Sequence, residues 1–163
     1  MRIPDRLRYW LIRKLCAGIA LRREPNFVIG GGDQPYMRRW HVIKRNAIFN
    51  IYLHHILRSD DDRALHDHPF ANLSVILTGG YTEILPTKGA TTLKVRRISG
   101  EMVFRWPASA HRLSIEDPRY CAWTLFITGP RVREWGFWCP QGWRPWQQFV
   151  NPANRGGIGP GCG

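Results

Sequence analysis

The chain is short of acid. Twelve Asp and Glu stand against 24 Lys and Arg, a net charge of +12 over 163 residues. Such an excess suits anionic small molecules, phospholipid headgroups or nucleic acid alike. Cysteine is also scarce. Cys16, Cys121, Cys139 and Cys162 lie far apart with no CxxC pair, which excludes a zinc ribbon and a dithiol redox motif. No apolar run is long enough to cross a bilayer as a helix. The best candidate, residues 15–21, runs straight into Arg22 and Arg23, and nothing there resembles a signal-cleavage site. The expectation is a cytoplasmic protein with free thiols. GxSxG, HExxH, EF-hand, P-loop, zinc-finger, RNP and helix-turn-helix signatures are missing too. Nucleic acid is therefore not the expected partner, although the charge leaves it open.

What is present divides the chain in three. Residues 1–23 hold seven Lys or Arg against one Asp. Residues 4–23 read as a helix with Asp5 as its cap and Leu7, Leu11, Leu15 and Ile19 on one face. That face either packs across the rest of the protein or lies on an anionic membrane. A linker with Gly30-Gly31-Gly32 completes an N-terminal segment of residues 1–36. From 37 to 150 the chain becomes short β-rich runs, at 39–43, 47–57, 66–78, 81–85, 91–98, 101–106, 111–115, 121–128 and 132–138. Gly79-Gly80, Ser99-Gly100 and Gly129-Pro130 are among the turns between them. Such punctuation predicts an all-β barrel or sandwich. Residues 151–163, rich in glycine and proline, read as a disordered tail.

Within the β region the histidines carry the chemistry. His66 and His68 stand two apart, so on a strand both imidazoles face one way. Neutral imidazole is the commonest metal ligand. His111 follows the run at 101–106 and joins them if the two runs are neighbours. Three neutral nitrogens leave positions open on an ion for water, dioxygen or substrate. Imidazole suits iron(II), zinc, nickel and copper, and manganese less well, so the ligands do not choose the metal. Asp67 lies between two of the histidines and faces the opposite way. The Asp60-Asp61-Asp62 loop is read as solvated and paired to Arg58 or Arg63, because the spacing of a calcium loop is absent.

Alternation puts His55 with Phe49, Ile51, Leu53 and Leu57 on an apolar face expected to point inward, and His54 with Asn50, Tyr52 and Ile56 on the other. His55 is read either as a buried histidine with a backbone partner or as one that meets substrate or braces a ligand. His41 is read as structural. Residues 131–146 carry four of the eight tryptophans, among them Trp135. They form either a hydrophobic lid over one barrel end or a wall of a substrate pocket. In the second case Arg133 holds a carboxylate or phosphate, with Arg105 and Arg112 as alternatives.

The arrangement resembles the cupin superfamily of small β-barrels. The first cupin motif carries a glycine, HxH, a glutamate three or four residues on and a closing glycine; here HDH is His66 to His68 and Gly79 closes. Gly100, Pro107 and His111 resemble the second motif, with Pro107 to His111 one residue short. Asn72 and Leu73 stand where the glutamate would be, so a three-His site replaces three-His-one-Glu and Asn72 becomes a substrate-facing candidate. Small uncharacterised cupins share a similar HDHP segment. The resemblance implies a double-stranded β-helix (jelly-roll) barrel with an N-terminal helix. It also implies a divalent metal, iron(II) first and zinc, nickel or manganese next. Cupins with three histidines and no glutamate include non-haem iron dioxygenases acting on small molecules. A non-catalytic ligand-sensing module and a metal-free isomerase or epimerase, with a histidine as base, are the alternatives. A homodimer is the default assembly.

Overall fold

The computed structural model describes residues 1–30, 35–60, 64–89, 91–117, 119–151, 153 and 159–163. Helix α1 (Asp5–Leu11) runs on into a π-helical stretch, Ile12–Ala20. Asp5 does not cap it. Pro4 takes that position, and Asp5 instead pairs with Arg8 at 3.1 Å. A proline suits a helix entry because its absent N–H is one that the first turn leaves unpaired. Leu11, Leu15 and Ile19 hold the expected stripe, while Leu7 remains 45% exposed.

The strands, in chain order, are β1 (Phe27–Ile29), β2 (Met37–His41), β3 (Asn50–Ile56), β4 (Leu65–His66), β5 (Asn72–Thr78) and β6 (Gly80–Pro86). Then come β7 (Thr92–Ile98), β8 (Met102–Arg105), β9 (Arg112–Ser114), β10 (Ala122–Thr128), β11 (Gly136–Cys139) and β12 (Gly142–Pro145). A short helix α2 (Trp146–Phe149) follows. One sheet runs β1-β2-β3-β10-β5-β8, and two three-stranded sheets run β12-β11-β4 and β7-β6-β9. Every strand pairing is antiparallel. A bridge between His66 and His111 joins the two smaller sheets edge to edge. The result is two facing layers, the all-β barrel with an N-terminal helix that the sequence predicts.

The expected strand at 66–78 is interrupted. It stops at His66 and resumes at Asn72. Pro69 has no N–H for a ladder, and the backbone N–H groups of Asp67 and His68 go instead to Gly136 and Pro107 carbonyls, at 3.0 Å each. Gly79 turns the chain with φ +72°; a Cβ there would lie 1.9 Å from the Cys121 carbonyl, so only glycine fits.

Both faces of the large sheet are covered. Inside, Met37, Ile56, Ile76 and Ala122 meet Tyr81, Leu113 and Ile115 of the opposite layer. Outside, Leu15 and the partly buried Ile12, Cys16 and Ile19 pack on Trp40, Leu53, Val75, Leu77 and Leu125. The helix therefore lies across the barrel. This arrangement reverses the assignment of β3. The apolar face with Ile51, Leu53 and His55 looks outward to the helix, and the more polar face with Tyr52, His54 and Ile56 lines the barrel. Apolarity marks burial, and here both faces are buried.

One thiol expectation is corrected. Cys139 and Cys162 form a disulfide, while Cys16 and Cys121 are free. Gly161 donates its backbone N–H to Phe149 O at 3.0 Å, and Arg144 reaches Gly161 O at 2.8 Å, so residues 159–163 sit against β11, β12 and α2. Gly31, Gly32, Asp61, Asp62, Arg63 and residues 154–158, which carry parts of the linker, acidic-loop and tail expectations, lie outside the described residues.

Candidate metal centre

His66 ends β4 and His111 precedes β9. Each donates its backbone N–H to the other's carbonyl at 2.9 Å. Such a pair brings two Cα atoms to about 5.5 Å with side chains on one face. His68 arrives from the loop, held by its N–H on Pro107 O. Donor atoms of the three histidines all lie within 4.8 Å of one another, and Nε2 of His68 is 2.9 Å from Nε2 of His111. Donors sharing one ion at 2.0–2.1 Å would stand roughly 3 Å apart, so only small movements separate this cluster from a coordinated one.

Behind the cluster stand two carboxylates. Glu83 Oε1 lies 2.9 Å from His111 Nδ1, and Asp60 Oδ2 lies 3.2 Å from His66 Nδ1. The Glu83 carboxylate on Nδ1 of His111 fixes that nitrogen as N–H and turns the Nε2 lone pair outward, the form that binds metal. Glu83 is fully buried and shared by Arg105 at 2.5 Å and Arg97 at 2.7 Å. Burial opposes its charge, but hydrogen bonding from His111 and the guanidinium of Arg105 outweigh it, and the carboxyl stays well below its ordinary range. Burial, with Arg105 adding to it, pushes His111 down to about 3. His68 is likewise lowered, by burial first and then by its neighbouring histidines, Arg105 and Arg39. His68 and His111 are thus neutral near pH 7.

The remaining candidates divide. Arg105 lies in the barrel, but its Nε donates to Glu83 and its Nη1 to Ser74 Oγ at 3.0 Å, and its charge is matched by Glu83. Asn72 also lies inside, 2% exposed, and neither Nδ2 nor Oδ1 has a hydrogen-bond partner. His55 does not join the cluster; it stacks on Trp123 with ring centroids 4.0 Å apart, and Trp123 packs against the same apolar cluster as the N-terminal helix. Arg133 sits 2.8 Å from Asp67 and over the Trp143 ring. Asp67, fully buried, also accepts from Gly136 N–H and Trp143 Nε1, so it pins the lid from the face opposite the histidines. Trp135 stacks on Trp146 at 5.8 Å within that lid and is not brought to the cluster. Arg133 and Trp135 thus belong to the barrel end.

Sequence reasoning missed Glu83, the pairing of Asp60 with His66, and the interior pair of Arg39 and His54. Glu83 had one available signal: it is the lone acid in an otherwise uncharged strand, β6.

No family model matches the chain, and no curated protein matches it. Solved structures do. A double-stranded β-helix protein from Klebsiella pneumoniae subsp. pneumoniae MGH 78578 is 12% identical, with 68% of this chain and 90% of that one covered and a TM-score of 0.50. The polyketide cyclase RemF of Streptomyces resistomycificus is 15% identical, with 68% and 80% covered and a TM-score of 0.51. An iron(II) form of HppE is 13% identical, with 65% and 58% covered and a TM-score of 0.50. The chain has the double-stranded β-helix fold of the cupins.

Proposed function

We propose that this protein is a metal-dependent cupin enzyme in which His66, His68 and His111 hold one divalent ion, iron(II) by preference, and a small anionic molecule is transformed beside it. One observation carries the reading. His111 has the buried Glu83 carboxylate 2.9 Å from its Nδ1, which leaves its Nε2 facing Nε2 of His68, and Asp60 lies in charge contact with His66 at 3.2 Å. A core histidine without a ligand does not need a fully buried acid, itself held by two guanidinium groups, to set its tautomer.

Iron(II) would supply redox chemistry toward dioxygen and a Lewis-acidic point for substrate. The chain's own residues do the rest. Glu83 holds the His111 ring in place, and the guanidinium groups of Arg105 and Arg97 keep Glu83 charged. The barrel interior excludes bulk water, and Asn72 offers an unused amide to a bound molecule. The ligands alone do not choose the metal. Iron is put ahead of zinc, nickel and manganese by the resemblance to three-histidine cupins that include iron dioxygenases, and HppE is an iron(II) protein with this fold. No helix among the described residues is long and apolar enough to cross a membrane.

Protein reconstituted anaerobically with iron(II), zinc, nickel or manganese tests this reading by oxygen uptake with a panel of small acids. Uptake with iron alone, dependent on the acid and absent in His111→Ala, supports an oxygenase. Turnover that survives chelation points to the metal-free isomerase instead. A second reading has its own support: the 2.9 Å contact between His68 and His111 can be a hydrogen bond that needs no ion. It makes the barrel a ligand-binding module, which binds metal weakly and consumes no oxygen.

A further inference from the structure

Arg39 is a cation inside the barrel with no acid to match it. It stands on β2, on the interior face shared with Met37. Its Nε donates to Nε2 of His54 at 2.9 Å, and its guanidinium lies 5.1 Å from the centre of the Tyr52 ring. Among the described residues no carboxylate is within ion-pair distance of it. Arg105 presents the contrast, because the Glu83 carboxylate lies 2.5 Å from it and Ser74 accepts from its Nη1. An arginine stays charged and offers five N–H groups in a fixed fork. With Nε committed to His54, both Nη nitrogens of Arg39 are left for a planar two-oxygen group. A desolvated cation without a counter-charge is costly, and an anionic ligand removes that cost.

The strand registers show what lies beyond the cation. Arg39 pairs with His54, the next interior row is Tyr52 opposite Phe126, and the row after that is Thr128 opposite Asn72. Tyr52, His54 and Phe126 stack on one another with centroids 5.1 to 6.5 Å apart. At the far end Asn72 Nδ2 and Oδ1 and Thr128 Oγ1 are buried without hydrogen-bond partners. The interior therefore runs from cation through aromatic wall to unpaired amide and hydroxyl. Across Phe126 stands His68, 5.7 Å away between ring centroids.

We propose that Arg39 is the anion anchor of this barrel, and that its ligand is a small oxyanion, a carboxylate or phosphonate, on an apolar planar body with a hydrogen-bonding group at the far end. His54 is a positioning residue, presenting its neutral Nε2 to hold the guanidinium fork. This inference rests on the barrel interior being the substrate site proposed above, but it does not require the metal.

Calorimetric titration of the 163-residue chain with benzoate, phenylphosphonate and the neutral benzamide tests it, with and without prior metal removal. Both anions should bind the metal-stripped protein, and benzamide at least about tenfold more weakly. Arg39→Met should weaken the anions by about 10- to 100-fold, the usual worth of hydrogen bonds to a charged group, and leave benzamide unchanged. Arg39→Lys should restore only part of the loss. Benzoate should also shield Arg39 of the wild-type protein from phenylglyoxal, mapped by mass spectrometry, where benzamide does not; this arm needs no variant to fold. No saturable anion binding by wild type, or anion affinity untouched in Arg39→Met, or no shielding, overturns the proposal. Anion binding that persists in a protein unable to hold any metal counts against the metal site alone.

Discussion

Glu83 Oε1 lies 2.9 Å from Nδ1 of His111, deep in the barrel and 28 residues away in sequence. The same carboxylate faces Arg105 and Arg97. One acid thus orients a candidate metal ligand and pairs with two guanidinium groups at once.

Replacing Glu83 should therefore do two separable things. In Glu83→Gln the buried cations lose their counter-charge, which costs about 3–5 kcal/mol when one partner of a buried pair is removed. Metal affinity should fall by roughly 10- to 100-fold, the usual effect of losing a group behind a metal-bound histidine. Urea unfolding measures the first and competition with a chromophoric chelator the second. A variant as stable as wild type would contradict the buried network described here.

Acid should weaken the metal-free fold early. Burial, helped by Arg38, lowers His55 to about 4, and burial lowers His54, His68 and His111 as well. Each binds its proton more readily unfolded than folded, so stability is full above about pH 6.5 and falls as pH drops below it. Each such group contributes about 1.4 kcal/mol per pH unit across its window. His55→Phe keeps a ring on Trp123 and removes one proton, so unfolding midpoints at pH 7.5 and pH 5 should diverge less than in wild type. Equal divergence would contradict the placement of His55.

Thiol counts should follow the disulfide. Without reductant, Cys121 should react with a thiol reagent in the folded protein, and Cys16, pushed up to about 11 by burial, should react only on unfolding. Cys139 and Cys162 should appear only after reduction. Four reactive thiols in unreduced, unfolded protein would show the bond absent.

The histidines were legible because they mark themselves locally. HDH, Gly79, Gly100 and His111 carry spacing that survives without knowledge of the fold, and Gly79 is held by a turn that no other residue fits. The strands were legible through their turns, yet Pro69 cuts the expected run between His68 and Asn72 because a proline cannot serve a ladder. His54 and His55 show where alternation stops helping. It separates two faces but cannot tell a barrel interior from a helix-covered exterior when both are buried. Glu83, Asp60 and Arg39 were hidden for a different reason. Their roles come from partners on other strands, and nothing next to them in the chain signals those pairings.

The central claim is that His66, His68 and His111 bind an ion. The most direct test is metal content by elemental analysis, on wild-type protein purified without added metal and on the His66→Ala, His68→Ala double variant. The expected result is close to one transition-metal ion per chain in wild type, iron above all, and almost none in the variant. Wild type that stays empty after reconstitution with iron(II), zinc, nickel and manganese in turn, or a variant that holds as much metal as wild type, would contradict it.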